Sequence, residues 1–287
     1  MTTYGFIGAG SMAGAIVDGL LAGGRGASTA GVPRVPADAA DVLVWSAHDS
    51  AAALAARTGA RLARGPEELV SAADVVVLAV KPHVVPVALA PLQAVLAEHR
   101  PLIVSIAAGL TTAQLEARLP DGARVVRAMP NLAAVVGESM TALVAGAAAD
   151  EADLGLATEL MGRVGRTMVL PERSFPAFTA LAGSSPAFIL TLVEALARGG
   201  VDAGMPKAQA VDVVAQALLG TAVLVRREAE RSAGDGAART PADLVDAVCS
   251  PGGTTIAGLV AMEREGFSPA VIEAVRATIA RDRALGA

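Results

Sequence analysis

The length, composition and charge of the chain limit the class of protein it can be. It has 287 residues, of which 53% are hydrophobic and 18% charged, enough to bury a substantial core, so disorder is excluded as the main state. The formal net charge of −5 repels a phosphate backbone, and one Trp, one Tyr and five Phe offer few surfaces for stacking bases. We therefore expect no nucleic-acid binding.

The number of cysteines, the spacing of the histidines and the length of the apolar runs exclude further classes of protein. Cys249 alone cannot close an intrachain disulfide, and His48, His83 and His99 do not have metal-ligand spacing. Charged residues interrupt every apolar run well before the roughly 20 residues that a bilayer requires. The sequence therefore predicts a soluble, cytoplasmic protein with no metal site and no membrane contact.

The first part of the chain alternates between short β-rich runs and Ala-rich helical stretches. The runs are Tyr4 to Gly8, Asp41 to Ser46, Asp74 to Val80, Leu102 to Ala107, Arg124 to Met129, Met140 to Val144 and Arg166 to Leu170. Several are apolar without alternation, which is typical of strands buried on both faces. Together they predict an α/β domain with a mostly parallel sheet over residues 1–170. The Gly-, Pro-, Ser- and Thr-rich stretch at 23–40 predicts a long loop before the second strand.

After Pro171 the strand pattern ends and helix formers dominate. The segments Ala187 to Gly200 and Ala208 to Val225 are apolar around more of their circumference than one small core can cover. We predict an all-helical domain over 171–287 that serves dimerisation and substrate binding. Its apolar helices would be covered by a second copy, making the protein an obligate homodimer.

The first strand runs directly into a glycine turn and a helix. Gly8 permits the tight turn, Gly10 lets the backbone approach a pyrophosphate, and the N–H groups at the start of the helix face the anion. Because the pattern opens an alternating β/α domain, it predicts a dinucleotide site. The residues that this pattern assigns to the site are Gly8 and Gly10.

The end of the second strand bears on the choice of dinucleotide. NAD enzymes usually place a carboxylate there for the ribose 2′-hydroxyl, and Asp49 is the one candidate, although it also sits where a helix N-cap is wanted. Ser46 and His48 could instead face a 2′-phosphate, with Arg57 or Arg34 as charge partners. The pattern favours NADPH, with NADH as the alternative.

Three further strand ends should lie at the same carboxyl edge, where open parallel sheets bind ligands. We expect cofactor contacts from Ala79, Val80, Lys81, Ala107, Ala108, Met129, Pro130 and Asn131. Asn131 offers an amide where the nicotinamide ring should lie. His83 could donate a proton, but a histidine that follows a proline at a helix start is more often structural.

In the helical part, the segment at 249–256 precedes an amphipathic helix. The bare glycines Gly252 and Gly253 and the new helix N-terminus present backbone N–H groups that suit a substrate carboxylate, with Thr254 and Thr255 beside them. Helix capping by Ser250 or a threonine is the alternative explanation. The run Gly-Ser-Ser-Pro at 183–186 opens a helix with the same ambiguity.

Taken together, these motifs resemble those of the pyrroline-5-carboxylate reductases, which reduce a cyclic imine to L-proline with NAD(P)H as the last step of proline biosynthesis. The likeness covers essentially the whole chain. It rests on Gly-Phe-Ile-Gly-Ala-Gly-Ser-Met-Ala at 5–13, Ala-Val-Lys-Pro-His at 79–83, Ser-Ile-Ala-Ala-Gly at 105–109, Arg-Ala-Met-Pro-Asn at 127–131, Gly-Glu-Ser-Met-Thr-Ala-Leu-Val-Ala-Gly at 137–146 and Cys-Ser-Pro-Gly-Gly-Thr-Thr-Ile-Ala-Gly-Leu at 249–259.

The resemblance implies a Rossmann-like domain, a helical domain that interlocks with its twin, and a dimer that often assembles into a decamer of five dimers. It also implies that Glu172, Thr254 and Thr255 line the substrate site. The residues that the resemblance places along the cofactor are Ala9, Ser11, Met12, Val80, Lys81 and Ala108. The chain departs from the family where Ala182 and Phe188 replace a serine and a tyrosine, and where Leu-Ala follows Asn131 in place of Thr-Pro.

The chemistry of imine reduction assigns a role to Thr255. We expect backbone N–H groups of 252–254 to hold the substrate carboxylate, while Thr255 donates a hydrogen bond or relays a proton to the ring nitrogen. The rivals are a reductase of another cyclic imine and a non-catalytic NADP sensor. A β-hydroxyacid dehydrogenase needs a lysine on the helix that opens the second domain, and none occurs from Ser184 to Gly204.

Overall fold

A computed structural model describes residues 2–21, 41–232 and 238–286. The predicted loop at 23–40, and Arg34 within it, lie outside these residues. The chain divides into two compact units, Met1–Ser184 with Thr278–Ala287, and Ser185–Ala277. Each unit is described below by itself.

The first unit is built on a sheet of eight strands. They are β1 (Thr3–Ile7), β2 (Asp41–Trp45), β3 (Arg61–Leu62), β4 (Val75–Leu78), β5 (Leu102–Ser105), β6 (Val125–Met129), β7 (Ser139–Ala145) and β8 (Gly165–Val169). Their order is β3-β2-β1-β4-β5-β6-β7-β8, and every neighbouring pair is parallel except β6 with β7. The predicted mostly parallel α/β sheet is confirmed. Strand β3 was not predicted, because it consists of two exposed residues and has no apolar run.

Helices cover both faces of this sheet. They are α1 (Ser11–Leu21), α2 (Ser50–Thr58), α3 (Pro66–Ala72), α4 (Val85–Leu89), α5 (Gln93–His99), α6 (Thr112–Glu116), α7 (Glu151–Gly162) and α8 (Phe175–Phe178). Strand β4 shows why its residues are all apolar: Val75 and Val77 pack into one core cluster, while Val76 and Leu78 pack into the cluster on the opposite face. The strand is therefore buried on both faces, as its sequence predicts.

The second part of the chain is helical, with α9 (Ser185–Asp202), α10 (Lys207–Ser232), α11 (Pro241–Val248), α12 (Thr254–Arg264) and α13 (Phe267–Gly286). Helices α9 and α10 pack together around the buried Ala197 and Ala210. Many of their large apolar side chains stay exposed in the single chain, among them Leu190 and Val213. Exposure of many large apolar side chains on two neighbouring helices is typical of a protein interface.

The apolar character of these helices corrects one expectation. Two helical stretches, Glu172–Asp202 and Lys207–Arg231, are long and apolar enough to cross a membrane when judged by length and composition alone, although no apolar stretch was expected to approach that length. Each of these helices contains a stretch of 18 residues with high mean hydropathy and no more than two charged residues. The expectation was wrong because a single charged residue does not end an apolar helix. Such helices are weak support for a membrane span, because helices that a second subunit covers have the same composition.

The run at 183–186 does not open a helix as predicted. Residues Thr179–Ser184 form a π-helix that continues α8 and is followed directly by α9. Pro186 has no N–H to give to the carbonyl four residues earlier, which belongs to Ala182. The helix passes through the proline by widening locally, a feature that often occurs at functional sites.

Candidate active site

The glycine turn after β1 has the geometry that a dinucleotide requires. Gly8 has φ +106°, and a Cβ added there would lie 2.6 Å from the carbonyl oxygen of Ala79, so only glycine fits. A Cβ added at Gly10 would meet nothing within 4 Å, so its bare backbone faces open space. Helix α1 begins at Ser11 with its N-terminal N–H groups directed at this space. The residues present therefore fit a bound pyrophosphate.

A cavity of about 480 Å³ lies beside this turn, between α1 and α2. Its lining includes Ala9, Gly10 and Ser11 from the predicted cofactor set, together with Ser50 and Arg57 from α2. Met12, the second residue of α1, is partly buried and packs against the hydrophobic core.

The end of β2 is organised by Ser46. Its hydroxyl donates to the carbonyl of His48 at 2.6 Å, contacts the Ser50 hydroxyl at 2.9 Å and accepts the backbone N–H of Ala51 at 3.1 Å. Asp49 occupies the N-cap position of α2, but its side chain makes no capping hydrogen bond. Ser46 thus does the capping expected of Asp49, and the exposed carboxylate of Asp49 is not committed to the helix.

The ends of β4 and β5 lie next to one another at the same edge. The backbone N–H of Ala79 donates to Ile7 at 2.9 Å, and that of Ile106 donates to Leu78 at 3.1 Å. Beyond these bonds Val80 is half-buried, and Lys81 is exposed at the start of a 3₁₀ turn over Pro82–Val84 that leads into α4. His83 is exposed in the same turn, Ala107 is buried and Ala108 exposed.

At the end of β6, Asn131 ties the strand to the π-helix. Its Nδ2 donates to the carbonyl of Ala182 at 2.9 Å, and its Oδ1 accepts the backbone N–H of Ala133 at 3.2 Å. Met129 packs against Ala182 in a small core cluster, and Pro130 is buried. Asn131 therefore supplies a donor to the carbonyl that Pro186 cannot serve. The sequence drew attention to this amide but did not indicate its partner.

Glu172 holds together three segments that are distant in sequence. Its carboxylate accepts the backbone N–H of Thr112 at 2.8 Å, the Thr112 hydroxyl at 2.9 Å and Nη1 of Arg127 at 2.9 Å. Arg127 is almost fully buried on β6 and lies 4.3 Å from the centroid of the Phe175 ring. Burial raises the pKa of Glu172, but the bonds from Thr112 and Arg127 outweigh it, so the pKa is lowered and the group is anionic at neutral pH.

The same carboxylate borders a cavity of about 390 Å³, which Gly109, Thr111, Arg127 and Arg173 also line. Thr112 belongs to no motif, and the motif at 127–131, which Arg127 opens, gives no indication that the Arg127 side chain pairs with Glu172. The loop after β5, where Gly109 has a left-handed conformation, lies in the same neighbourhood.

In the helical unit, the segment before α12 keeps the form expected of an anion site. Gly252 has φ +69°, and Gly253 is the N-cap of α12 without a side-chain capping bond. The alternative explanation, capping by Ser250 or a threonine, is therefore wrong. Thr254 and Thr255 are exposed on the first turn, where backbone N–H groups have no partner within the helix.

Two family models match the chain. The model described as pyrroline-5-carboxylate reductase dimerisation covers residues 172–285, and the model described as NADP oxidoreductase, coenzyme F420-dependent, covers residues 3–109. With the parallel sheet and its glycine turn, they define an NAD(P)H-dependent oxidoreductase with a C-terminal helical domain that forms homo-oligomers.

Individual relatives make the assignment specific. Pyrroline-5-carboxylate reductase 3 of Danio rerio is 38% identical over 283 residues, which are 98% of this chain and 91% of that protein. The pyrroline-5-carboxylate reductase of Thermus thermophilus is 46% identical over 215 residues, 75% of this chain and 76% of the relative. A solved pyrroline-5-carboxylate reductase structure from Coxiella burnetii has a TM-score of 0.84 at 30% identity, covering 100% of this chain and 99% of that one. The chain belongs to the pyrroline-5-carboxylate reductase family, and the resemblance predicted from its motifs is confirmed.

Proposed function

We propose that this protein reduces pyrroline-5-carboxylate to L-proline with NADPH. A bound reduced nicotinamide supplies the hydride equivalent. The imine carbon accepts the hydride, the electron pair of the C=N bond moves to nitrogen, and nitrogen takes one proton. The products are L-proline and NADP⁺.

The protein's own residues would bind and orient the reactants. Gly8 to Met12 hold the pyrophosphate through backbone N–H groups, and the strand-end residues Ala79 to Lys81, Ala107, Ala108 and Met129 to Asn131 border the rest of the cofactor. Holding cofactor and imine in contact can supply about 7 to 11 kcal/mol of the barrier reduction through effective molarity.

The observation that carries the proposal is the uncapped N-terminus of α12. Among the described residues, the backbone N–H groups of Gly252 and Thr254 have no hydrogen-bond partner and are available to a carboxylate, whereas that of Gly253 donates to the Ser250 carbonyl at 3.0 Å. Thr255 is exposed on the first turn and donates a hydrogen bond to the ring nitrogen. Since a threonine hydroxyl is a weak acid, Thr255 mainly orients the nitrogen and passes on a proton that it regains from water.

Glu172 has a second part in this proposal. Its anionic carboxylate borders the 390 Å³ cavity, where it would attract a positively charged group of the substrate. Its three hydrogen bonds keep it deprotonated, so it acts as an electrostatic partner and not as the proton donor.

The preference for NADPH is supported at the end of β2. The Ser46 and Ser50 hydroxyls stand where an NAD enzyme places a carboxylate, and exposed His48 lies beside them. Asp49 keeps NADH as the alternative. We also propose that the protein works in the cytoplasm as an obligate homodimer in which α9 and α10 bury their apolar faces, with a decamer of five dimers as the larger assembly.

The direct test follows NADPH oxidation with pyrroline-5-carboxylate and with piperideine carboxylate and, in parallel, NADP⁺ reduction with a β-hydroxyacid. The proposal expects the highest kcat/KM with pyrroline-5-carboxylate and no turnover of the hydroxyacid. Replacing Thr255 by Ala should lower kcat far more than NADPH affinity, whereas Thr255→Ser should retain most activity. An unchanged kcat in Thr255→Ala would exclude the role of this hydroxyl.

A second cyclic imine is the alternative that a specific observation favours. The family's serine at 182 and tyrosine at 188 are absent, and Ala182 is buried in a core cluster here. If those residues contact substrate in relatives, this chain recognises the ring differently. A higher kcat/KM with piperideine carboxylate would establish that alternative.

A further inference from the structure

Two charged side chains that pair with each other line the cavity beside the glycine turn. Nη1 of Arg57, in the last turn of α2, donates to both carboxylate oxygens of Asp18 on α1, at 2.7 and 2.8 Å. Both side chains are about half exposed. Among the described residues that line this cavity, Asp18 and Arg57 are the charged ones, since the others are small, apolar or hydroxyl-bearing.

The guanidinium of Arg57 also lies close to the phosphate-binding end of α1. Its Nη2 is 3.3 Å from the position that a Cβ on Gly14 would take, which is one turn from Ser11. Within the part of the chain that the structure describes, only Nη1 of this guanidinium has a hydrogen-bond partner. The remaining N–H groups of Arg57 are therefore available to a ligand in the cavity.

The first turn of α2 also brings a neutral hydroxyl to the cavity. Ser50 lines it, and the Ser50 hydroxyl is linked to that of Ser46. Hydroxyl groups can form hydrogen bonds to a phosphate but cannot neutralise its charge. A phosphomonoester bound in this cavity therefore requires a cationic side chain in addition to the hydroxyls. Arg57 is the cation that the described lining provides.

We propose that Arg57 selects a cofactor that carries a 2′-phosphate and that Asp18 competes with this phosphate for the guanidinium. This inference rests on the proposed use of NADPH. Asp18 holds Arg57 over the cavity when no phosphate is present. When a phosphate binds, the guanidinium is shared, and the Asp18 carboxylate repels the incoming dianion. The ion pair thus moderates the preference for NADPH and leaves NADH usable.

The competition fixes the sign of each substitution. Removing Arg57 deletes the attraction, so a ligand with a 2′-phosphate should bind more weakly while its dephosphorylated counterpart is unaffected. Removing the charge of Asp18 frees the guanidinium and relieves the repulsion, so the phosphorylated ligand should bind more tightly. Both effects should shrink at high salt, because the two groups are half exposed.

The test is calorimetric titration of the full chain with adenosine 2′,5′-bisphosphate and with 5′-AMP, which differ only in the 2′-phosphate. We expect Arg57→Ala to lower the affinity for the bisphosphate about tenfold and Arg57→Lys to recover part of that loss. The affinity of both variants for 5′-AMP should stay within about twofold of the parent's. Asp18→Asn should tighten the bisphosphate about threefold to tenfold. The matched control is Arg61→Ala, because Arg61 also pairs with an aspartate, Asp41, but does not line the cavity.

Three results would overturn the inference: equal effects of Arg57→Ala on the two nucleotides, no effect on either, or weaker bisphosphate binding in Asp18→Asn. The first would mean a general structural role for the ion pair. The titrations need no substrate, so their failure is distinguishable from that of the proposed function. If the bisphosphate responds as expected but pyrroline-5-carboxylate is not reduced, the inference stands and the proposed reaction does not.

Discussion

Two glycines of the same turn should respond in opposite ways to an added methyl group. In Gly8→Ala the new Cβ would lie 2.6 Å from the Ala79 carbonyl oxygen and 3.0 Å from Cγ1 of Val80. The left-handed φ costs about 1–2 kcal/mol and the overlap about 1–3 kcal/mol more, so unfolding free energy should fall by about 2–5 kcal/mol. In Gly10→Ala nothing lies within 4 Å of the new atom, and stability should stay within about 0.5 kcal/mol of the parent.

For the NADPH affinity of the folded protein, Gly10→Ala should be the more harmful of the two substitutions. The methyl of Gly10→Ala would stand in the open space assigned to the pyrophosphate, so NADPH affinity should fall at least about tenfold, or about 1.4 kcal/mol. Urea unfolding without cofactor and calorimetric titration of NADPH measure the two quantities separately. The reasoning is refuted if Gly10→Ala is destabilised as strongly as Gly8→Ala, or if it binds NADPH as tightly as the parent.

Two further substitutions test contacts outside the glycine turn. Glu172→Gln leaves buried Arg127 without its counter-charge and should cost about 1–3 kcal/mol at pH 7. Because the folded pKa of Glu172 is lowered, its contribution is present at neutral pH and is lost as pH falls through that pKa. The stabilities of parent and variant in urea titrations should therefore converge as the pH falls below the ordinary pKa of a glutamate and through the lowered one, and a constant difference would contradict this. Asn131→Ala removes the donor to the Ala182 carbonyl and should cost about 1 kcal/mol, whereas in a Pro186→Ala background, which restores a backbone N–H, the cost should be smaller. Additive effects in that double-mutant cycle would rule out the shared carbonyl.

The parts of the fold that follow from local pattern could be predicted. Strand β4 reads as buried because all four of its residues are apolar, and the glycine turn reads as a dinucleotide site because Gly8 and Gly10 fall between a strand and a helix. Strand β3 could not be predicted, since Arg61 and Leu62 carry no pattern and pair with β2 only because α2 returns the chain there.

Contacts between distant residues set the limit for the site. No motif includes Thr112, the motif at 127–131 does not show where the Arg127 side chain binds, and the convergence of both residues on Glu172 depends on the packing of three separate segments. The π-helix at 179–184 was missed because no residue preference marks a widened turn, and Gly-Ser-Ser-Pro is equally compatible with a helix start. The capping role of Ser46 in place of Asp49 was missed because both spacings suit an N-cap.

In the proposed reaction, this protein transfers a hydride from NADPH to an imine carbon. The most direct measurement uses NADPH deuterated at the transferring position of C4, with pyrroline-5-carboxylate as acceptor and mass spectrometry with NMR of the product. We predict proline with one deuterium on the carbon that was doubly bonded to nitrogen, with one molecule of proline formed for each molecule of NADP⁺. Proline without the label, or NADPH oxidation without proline, would contradict it.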